Sequence, residues 1–305
     1  MQSILASWLV GLLCLVSACA PQRQDASPSV NDPACRAPIV GSEAGSEAGG
    51  MAIVRLRSQA LSESGYEGVV ALLDGETGTL FASSTDCLET PAVPASTFKV
   101  FSSLAALEAG VVISLDQTIS LPEYTSSREE INRDLDFQSA FTLSALPHYR
   151  EIVDRVGAEK MQSYLDAVGY GNRSMQGEPP FWISGELRIT PVEQLLFLQR
   201  LVTAALPFRS EVIAGVKKLM RRDELDGRLH GKTGWATGAD GLETGWAVGW
   251  LERPGIEPLF FVTLLQTRML RPDFIPLRMQ LALDALSVYQ SGQSGKAGEA
   301  ARSAQ

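Results

Sequence analysis

Histidine is nearly absent. Only His148 and His230 occur in 305 residues, and no G-x-S-x-G serine elbow accompanies them, which disfavours a Ser-His-Asp hydrolase. Cysteine is scarce as well: four residues, Cys14, Cys19, Cys35 and Cys87. None forms a C-x-x-C pair, so a cysteine-held metal is disfavoured, and no metal is expected. Positive charge is in deficit, with 26 Lys and Arg against 35 Asp and Glu and a formal net charge of -9. No basic run offsets this, which argues against nucleic acid as a partner, because phosphates need Lys and Arg. The uncharged apolar run at residues 4–16 is too short for a comfortable membrane span.

That run reads as a secretory signal peptide over residues 1–19, with a weak n-region and a periplasmic destination. Two cleavage readings compete. Val16-Ser17-Ala18-Cys19 matches a lipoprotein box, which would lipidate Cys19 and anchor the protein to the outer membrane. Ala18-Cys19-Ala20 also fits ordinary small-x-small cleavage, but Pro21 would then follow the cut, a position signal peptidase handles poorly. The lipoprotein reading is therefore preferred. Cys14 leaves with the leader. Cys35 and Cys87 remain in an oxidising compartment, where a disulfide between them and two free thiols are both compatible with the sequence.

What is present divides cleanly. Residues 20–55, rich in Pro, Ser, Ala and Gly at first, read as a flexible linker, and residues 291–305 as a disordered tail, because neither buries enough apolar surface to offset its ordering entropy. One domain over 56–290 lies between them. Strand signals open it at 68–73 and 79–82, around the turn Asp74-Gly75-Glu76-Thr77-Gly78. A helical pattern follows Ser96 and stops near Gly110. Helices are expected at 149–156, 158–168 and 191–203, the last with Pro191 near its start. Strands return at 246–251 and 259–265. A closing helix shows the stripe Leu277, Leu281, Ala285 and Val288. Sheet elements at both ends with helices between them indicate an α+β domain: one antiparallel sheet assembled from the two ends, with a helical lobe inserted.

Two short motifs carry chemistry. In Ser96-Thr97-Phe98-Lys99 the serine and lysine share one helix face, one turn apart. Ser96 falls where free backbone N–H groups and the helix dipole favour a developing oxyanion, and Lys99 is within reach to serve as its base. Alone, the spacing also suits a helix-capping serine followed by a surface lysine. Lys232-Thr233-Gly234, just ahead of the late strands, offers a cation, a hydroxyl and a close backbone approach, suited to a substrate carboxylate. S-x-x-K followed by K-T-G is the serial signature of penicillin-recognising serine enzymes.

Between them the chain lacks Ser-Asp-Asn and has Ser144-Ala145-Leu146, Tyr170-Gly171-Asn172 and Phe181-Trp182. With these, residues 65–290 resemble the class D (oxacillinase-type) serine β-lactamases. Pro94 to Lys99 resembles the nucleophile segment, Asn132-Arg133-Asp134 the entry to the helical lobe, Ser144 to Pro147 the S-x-V motif, and Pro276-Leu277-Arg278 the terminal helix. The resemblance implies the β-lactamase fold, a central antiparallel sheet flanked by helices with an all-helical lobe. It implies hydrolysis of a β-lactam through a Ser96 acyl-enzyme, conferring resistance. The expected cofactor is CO2, carried as N6-carboxylation of Lys99 and acting as general base, with Trp182 and Phe98 around it. No E-x-x-x-N glutamate competes for that role. Ser144 is expected to pass a proton to the departing ring nitrogen, assisted by Lys232. Thr233, Gly234, Arg278 and Leu146 are expected to line the substrate, and the amides of Ser96 and Trp235 to form the oxyanion hole. Three positions depart from the family: Leu146 for Val, Ile131 for Trp, and Trp235 for Phe or Tyr. A penicillin-sensing receptor domain and a peptidoglycan transpeptidase are the alternatives, the latter disfavoured because no Ser-x-Asn lies between the two motifs. Monomer and dimer both stand open.

Overall fold

The computed structural model describes residues 51–303 and the backbone of 47–48, with side chains through 292. The leader, the cleavage site and most of the linker lie outside the described residues. In chain order the elements are β1 (Glu47–Ala48), β2 (Met51–Arg55), α1 (Gln59–Ser64), β3 (Glu67–Asp74), β4 (Leu80–Ala82), α2 (Phe98–Glu108), β5 (Thr118–Ile119), β6 (Leu135–Asp136), α3 (Phe137–Thr142), α4 (Leu146–Val156), α5 (Ala158–Val168), α6 (Pro191–Val202), α7 (Ser210–Leu219), β7 (Leu229–Thr237), β8 (Glu243–Arg253), β9 (Ile256–Thr267) and α8 (Phe274–Ser303).

Seven strands form one sheet in the order β1-β2-β4-β3-β9-β8-β7. It joins the two ends of the chain where β3 pairs with β9 from Glu67↔Gln266 to Asp74↔Leu259. The expected antiparallel sheet needs one correction: β2 lies parallel to β4. The chain crosses over through α1 before β3, and the β3–β4 hairpin then returns between β2 and β3, leaving β2 parallel to its neighbour. The domain also begins earlier than expected, because β2 occupies the last residues assigned to the linker. At the other end the backbone of α8 continues to Ser303, through the stretch expected to be a disordered tail.

The central strands are apolar on both faces because both faces are covered. In β8, Trp246, Val248 and Trp250 join the core beneath the helical lobe. Ala247 and Leu251 join a second core with Leu281, Ala282, Ala285, Leu286 and Tyr289 of α8. The buried stripe of α8 thus ends on Tyr289, while Val288, expected inside, is 56% exposed. Helix boundaries follow local chemistry. Thr190 and Glu193 form a capping box at the start of α6. α4 starts at Leu146 rather than 149, with Pro147 in its first turn.

Strand β7 is an edge strand, and its alternation sets up the site. Lys232 stands opposite Val248 and Gly234 opposite Trp246, so both face the helical lobe. Thr233 stands opposite Ala247 and Trp235 opposite Gly245, so both face α8. Backbone groups of the odd residues point to the free edge. Leu229 accepts from Arg222 N at 2.9 Å and Gly231 donates to Met220 O at 2.7 Å. By the same alternation the N–H groups of Thr233 and Trp235 are directed outward.

Candidate active site

Ser96 sits in a 3-10 turn, Ala95–Thr97, that runs directly into α2. Ala95 holds φ +51°, a conformation non-glycine residues rarely adopt, which the surroundings must enforce. Several anchors do so. Ala95 N donates to Trp182 O at 2.9 Å. Thr97 Oγ1 donates to Pro94 O at 2.6 Å and accepts from the buried Gln194 Nε2 at 2.9 Å. Trp246 Nε1 donates to Val93 O at 2.8 Å. A Cβ built on Gly234 would lie 3.0 Å from Pro94 O and 3.2 Å from Thr97 N. Glycine at 234 therefore lets β7 approach the turn that carries Ser96.

Lys99, fully buried, donates from Nζ to Ser96 Oγ at 2.9 Å. Its ammonium lies 5.1 Å from the centroid of the Tyr149 ring, whose hydroxyl pairs with Ser103 Oγ at 2.8 Å. No carboxylate pairs with it among the described residues. Burial, with a smaller contribution from the Arg128 guanidinium, lowers its pKa to about 7. Near neutral pH much of Lys99 is thus an amine rather than an ammonium.

Lys232 reaches across from β7 and donates to Ser144 Oγ and, at 3.0 Å, to Thr233 O. Its pKa is held well below the usual lysine value, by burial first and then by Lys99, Arg278, Arg222 and Arg128. Ser144 does not cap a helix. It stands at φ +53° between α3 and α4, and Ala145 occupies the N-cap of α4. Its hydroxyl is therefore free of backbone duty and meets Lys232 instead.

Trp182 is 3% exposed, and its ring stacks on Phe98 at 5.2 Å and 22°. Its Nε1 is buried without a hydrogen-bond partner, a state that normally costs about 1–3 kcal/mol. Its loop is shaped by the Tyr170-Gly171-Asn172 segment. Asn172 Oδ1 accepts from Arg188 N at 2.9 Å and its Nδ2 donates to Glu186 O at 2.8 Å. A Cβ on Gly171 would strike Arg188 O at 2.0 Å. Arg278, 7% exposed, donates to Gly234 O and, at 2.8 Å, to Ile275 O. Burial lowers its pKa to about 10. It meets β7 on the face that carries Thr233.

The chain is similar to several known proteins. The family profile of the penicillin binding protein transpeptidase domain matches residues 68–273. Regulatory protein BlaR1 of Bacillus licheniformis is 33% identical over 160 residues, 52% of this chain and 27% of that protein. β-Lactamase OXA-5 of Pseudomonas aeruginosa is 30% identical over 204 residues, 66% of this chain and 76% of that one. The crystal structure of FUS-1 (OXA-85), a class D β-lactamase from Fusobacterium nucleatum subsp. polymorphum, superimposes with a TM-score of 0.71 at 28% identity, covering 76% of this chain and 96% of that one. The chain belongs to the class D β-lactamase family. It spans 27% of BlaR1 and 65% of β-lactamase OXA-19 of Pseudomonas aeruginosa.

The three departures from the family pattern take different places. Ile131 is buried in the core beneath the lobe, and Leu146 packs partly buried against the same core. Trp235 is 44% exposed at the rim. The structure brings Ser96 and Lys99 together, and Ser144 and Lys232 together, as the motifs led one to expect, while the groups that support them went unmarked in the sequence. Gln194, Tyr149, Trp246 Nε1 and Arg128 act through contacts distant in the chain, and no local motif marks them. Cys87 is buried and disulfide-bonded. It is the only cysteine among the described residues, so its partner lies outside them.

Proposed function

We propose that this protein hydrolyses β-lactams through an acyl-enzyme on Ser96. The carrying observation is the 2.9 Å contact between Ser96 Oγ and a fully buried Lys99 whose pKa is lowered to about 7. Ser96 Oγ attacks the ring carbonyl, and its proton leaves toward the side chain of Lys99. The outward N–H of Trp235 and the N–H of Ser96 receive the oxyanion. Ser144 Oγ passes a proton to the departing ring nitrogen, and Lys232, held against it, stabilises that transfer. Thr233 and Arg278, on one face of β7, take the substrate carboxylate.

N6-carboxylation of Lys99 fits the residues present: a buried amine with a lowered pKa, no acid beside it among the described residues, and a Trp182 N–H without a partner. When bound, CO2 supplies an anionic base for both halves of the reaction. Trp182 Nε1 would hold it, and the stack with Phe98 would orient the indole. The disulfide at Cys87 supports an oxidising, exported location, and the Val16-Ser17-Ala18-Cys19 box would add a lipid anchor at Cys19.

The match to BlaR1 favours a second reading, a receptor domain that is acylated and stays so. A chromogenic cephalosporin, with and without bicarbonate, separates the two. Sustained turnover that rises with bicarbonate supports hydrolysis; one burst equal to the protein concentration supports the receptor. Lys99→Ala should leave at most a stalled acyl-enzyme, and normal turnover in that variant would refute the base.

A further inference from the structure

The Trp235 side chain is 44% exposed at the rim on the α8 side of β7, and it is not loose. Its Nε1 donates to Glu243 Oε2 at 2.7 Å, and Thr237 Oγ1 donates to the same oxygen at 3.1 Å. Glu243 is 8% exposed and has no cationic partner among the described residues. A buried acid without a cation opposes folding, so its retention at this position calls for a gain elsewhere. The sheet supplies the geometry. Trp235 stands opposite Gly245, and Glu243, two residues earlier in β8, shares that face. The space above Gly245 is already filled: a Cβ there would meet Arg278 Cδ at 2.7 Å and the Phe274 ring at 2.9 Å. The indole therefore cannot lie down over the sheet. The frame around it is braced by Gly238 N donating to Leu242 O at 2.8 Å and Arg268 Nη2 donating to Asp240 Oδ2 at 2.8 Å.

A β-lactam with its carboxylate at Thr233 and Arg278 and its carbonyl at the Trp235 amide lies along the free edge of β7. The acylamino substituent on the carbon next to that carbonyl then continues past residue 235. We propose that Glu243 is a positioning residue that fixes the Trp235 indole as the wall against which the acyl side chain of the substrate packs. The inference rests on the β-lactam reading of the site and adds what that reading leaves open, the residue that holds the wall of the acyl-group subsite in place.

Two substrates sharing one bicycle test it: benzylpenicillin, and 6-aminopenicillanic acid, which lacks the acyl chain. Acylation of Ser96 is followed by mass spectrometry, and KM and kcat by hydrolysis. Glu243→Ala should raise KM for benzylpenicillin about 3- to 10-fold, the range of an aromatic contact, leave kcat nearly unchanged, and leave 6-aminopenicillanic acid unaffected. Glu243→Gln keeps an acceptor oxygen and should restore most of the loss. Trp235→Leu should raise KM for benzylpenicillin similarly, and adding Glu243→Ala to it should change nothing further, because the acid acts through the indole. Equal losses on both compounds, additive losses in the double variant, or no loss for benzylpenicillin would each overturn the proposal. Where Glu243→Ala fails to fold, Trp235→Phe keeps a ring and loses the N–H; it must act more on benzylpenicillin than on 6-aminopenicillanic acid, and an equal effect overturns the assignment. A protein acylated by neither compound sinks the β-lactam reading itself. One acylated normally without turnover sinks only the hydrolase.

Discussion

The amine of Lys99 sets a testable pH dependence for formation of the acyl-enzyme. An exposed lysine at the ordinary value of 10.5 would be neutral in about 1 molecule in 3,000 at pH 7, whereas a value of about 7 makes it neutral in about half. That displacement corresponds to about 5 kcal/mol of preference for the neutral form, supplied first by burial and then by Arg128. Stopped-flow acylation with a chromogenic cephalosporin, in bicarbonate-free buffer of constant ionic strength, should fall about tenfold between pH 8 and pH 6, as the neutral fraction drops from about nine tenths to one tenth. Above pH 8 the profile should flatten. Added bicarbonate captures only the neutral amine, so it should move the midpoint to lower pH. Arg128 is half exposed, with 46% of its side chain open to solvent, and salt should screen its contribution while leaving that of burial. The same residue has a stability signature. Because the folded-state pKa lies below the unfolded one, the folded state sheds its proton first, and stability rises as pH increases from about 7 toward 10.5. Lys99→Met should therefore stabilise the fold most below pH 7 and least in alkali. A rate that climbs log-linearly through pH 9 would show an ordinary lysine and refute the reasoning, and a rate flat down to pH 5 would place the proton on another group.

Three further outcomes are expected. Gly234→Ala puts a Cβ 3.0 Å from Pro94 O, which must separate β7 from the Ser96 turn by a few tenths of an ångström; kcat/KM should fall about tenfold with the fold intact, and an unchanged acylation rate would show that the approach is not needed. Trp182→Phe keeps a ring on Phe98 and removes the orphaned N–H. The carbon-13 resonance of labelled Lys99 after 13C-bicarbonate should weaken, and deacylation should slow about 10- to 100-fold, more than acylation. Asp74, 3% exposed, meets Arg253 Nη2 at 2.5 Å, the Tyr289 hydroxyl, and Glu76 N at 3.0 Å. Burial alone would raise its pKa, and these hydrogen bonds bring it below the ordinary value. Asp74→Asn should cost about 3 kcal/mol and roughly 6–12 °C in Tm near neutrality, with the gap closing as pH falls through the lowered carboxyl pKa.

Legibility in the sequence followed the range of the interaction. β3, β8 and β9 were legible because doubly covered strands read as continuous apolar runs. α5 and α6 were legible from periodicity, and α6 also from Pro191 near its start; the Thr190–Glu193 capping box became visible only in the structure. β1, β2, and the β5–β6 ladder of Thr118↔Asp136 and Ile119↔Leu135 were not, since two- to five-residue strands exist only through partners supplied by tertiary structure. At the site, Ser96 and Lys99 were readable because one helical turn joins them. Lys232 and Ser144 are 88 residues apart, and only the family resemblance connected them. The Trp235–Glu243 pair escaped notice although both lie on one hairpin. Their meeting depends on register and on a glycine at 245 that no propensity announces.

The charges in the pocket explain why such a site suits anions in an acidic protein. The chain carries a net charge of -9, yet Lys99, Lys232 and Arg278 are buried together and none has an acid partner among the described residues. Lys99 and Arg278 raise the cost of protonating Lys232, after burial itself. Such a pocket is short of negative charge by construction. A substrate carboxylate arriving near Thr233 and Arg278, or an acid group on Lys99, relieves repulsion already present in the folded protein, so part of its binding energy is stored before it arrives. A structural glutamate would relieve the same repulsion but defeat the site: an acid fixed beside Lys99 would pair with it, restore an ordinary ammonium, and remove the amine on which activation of Ser96 depends.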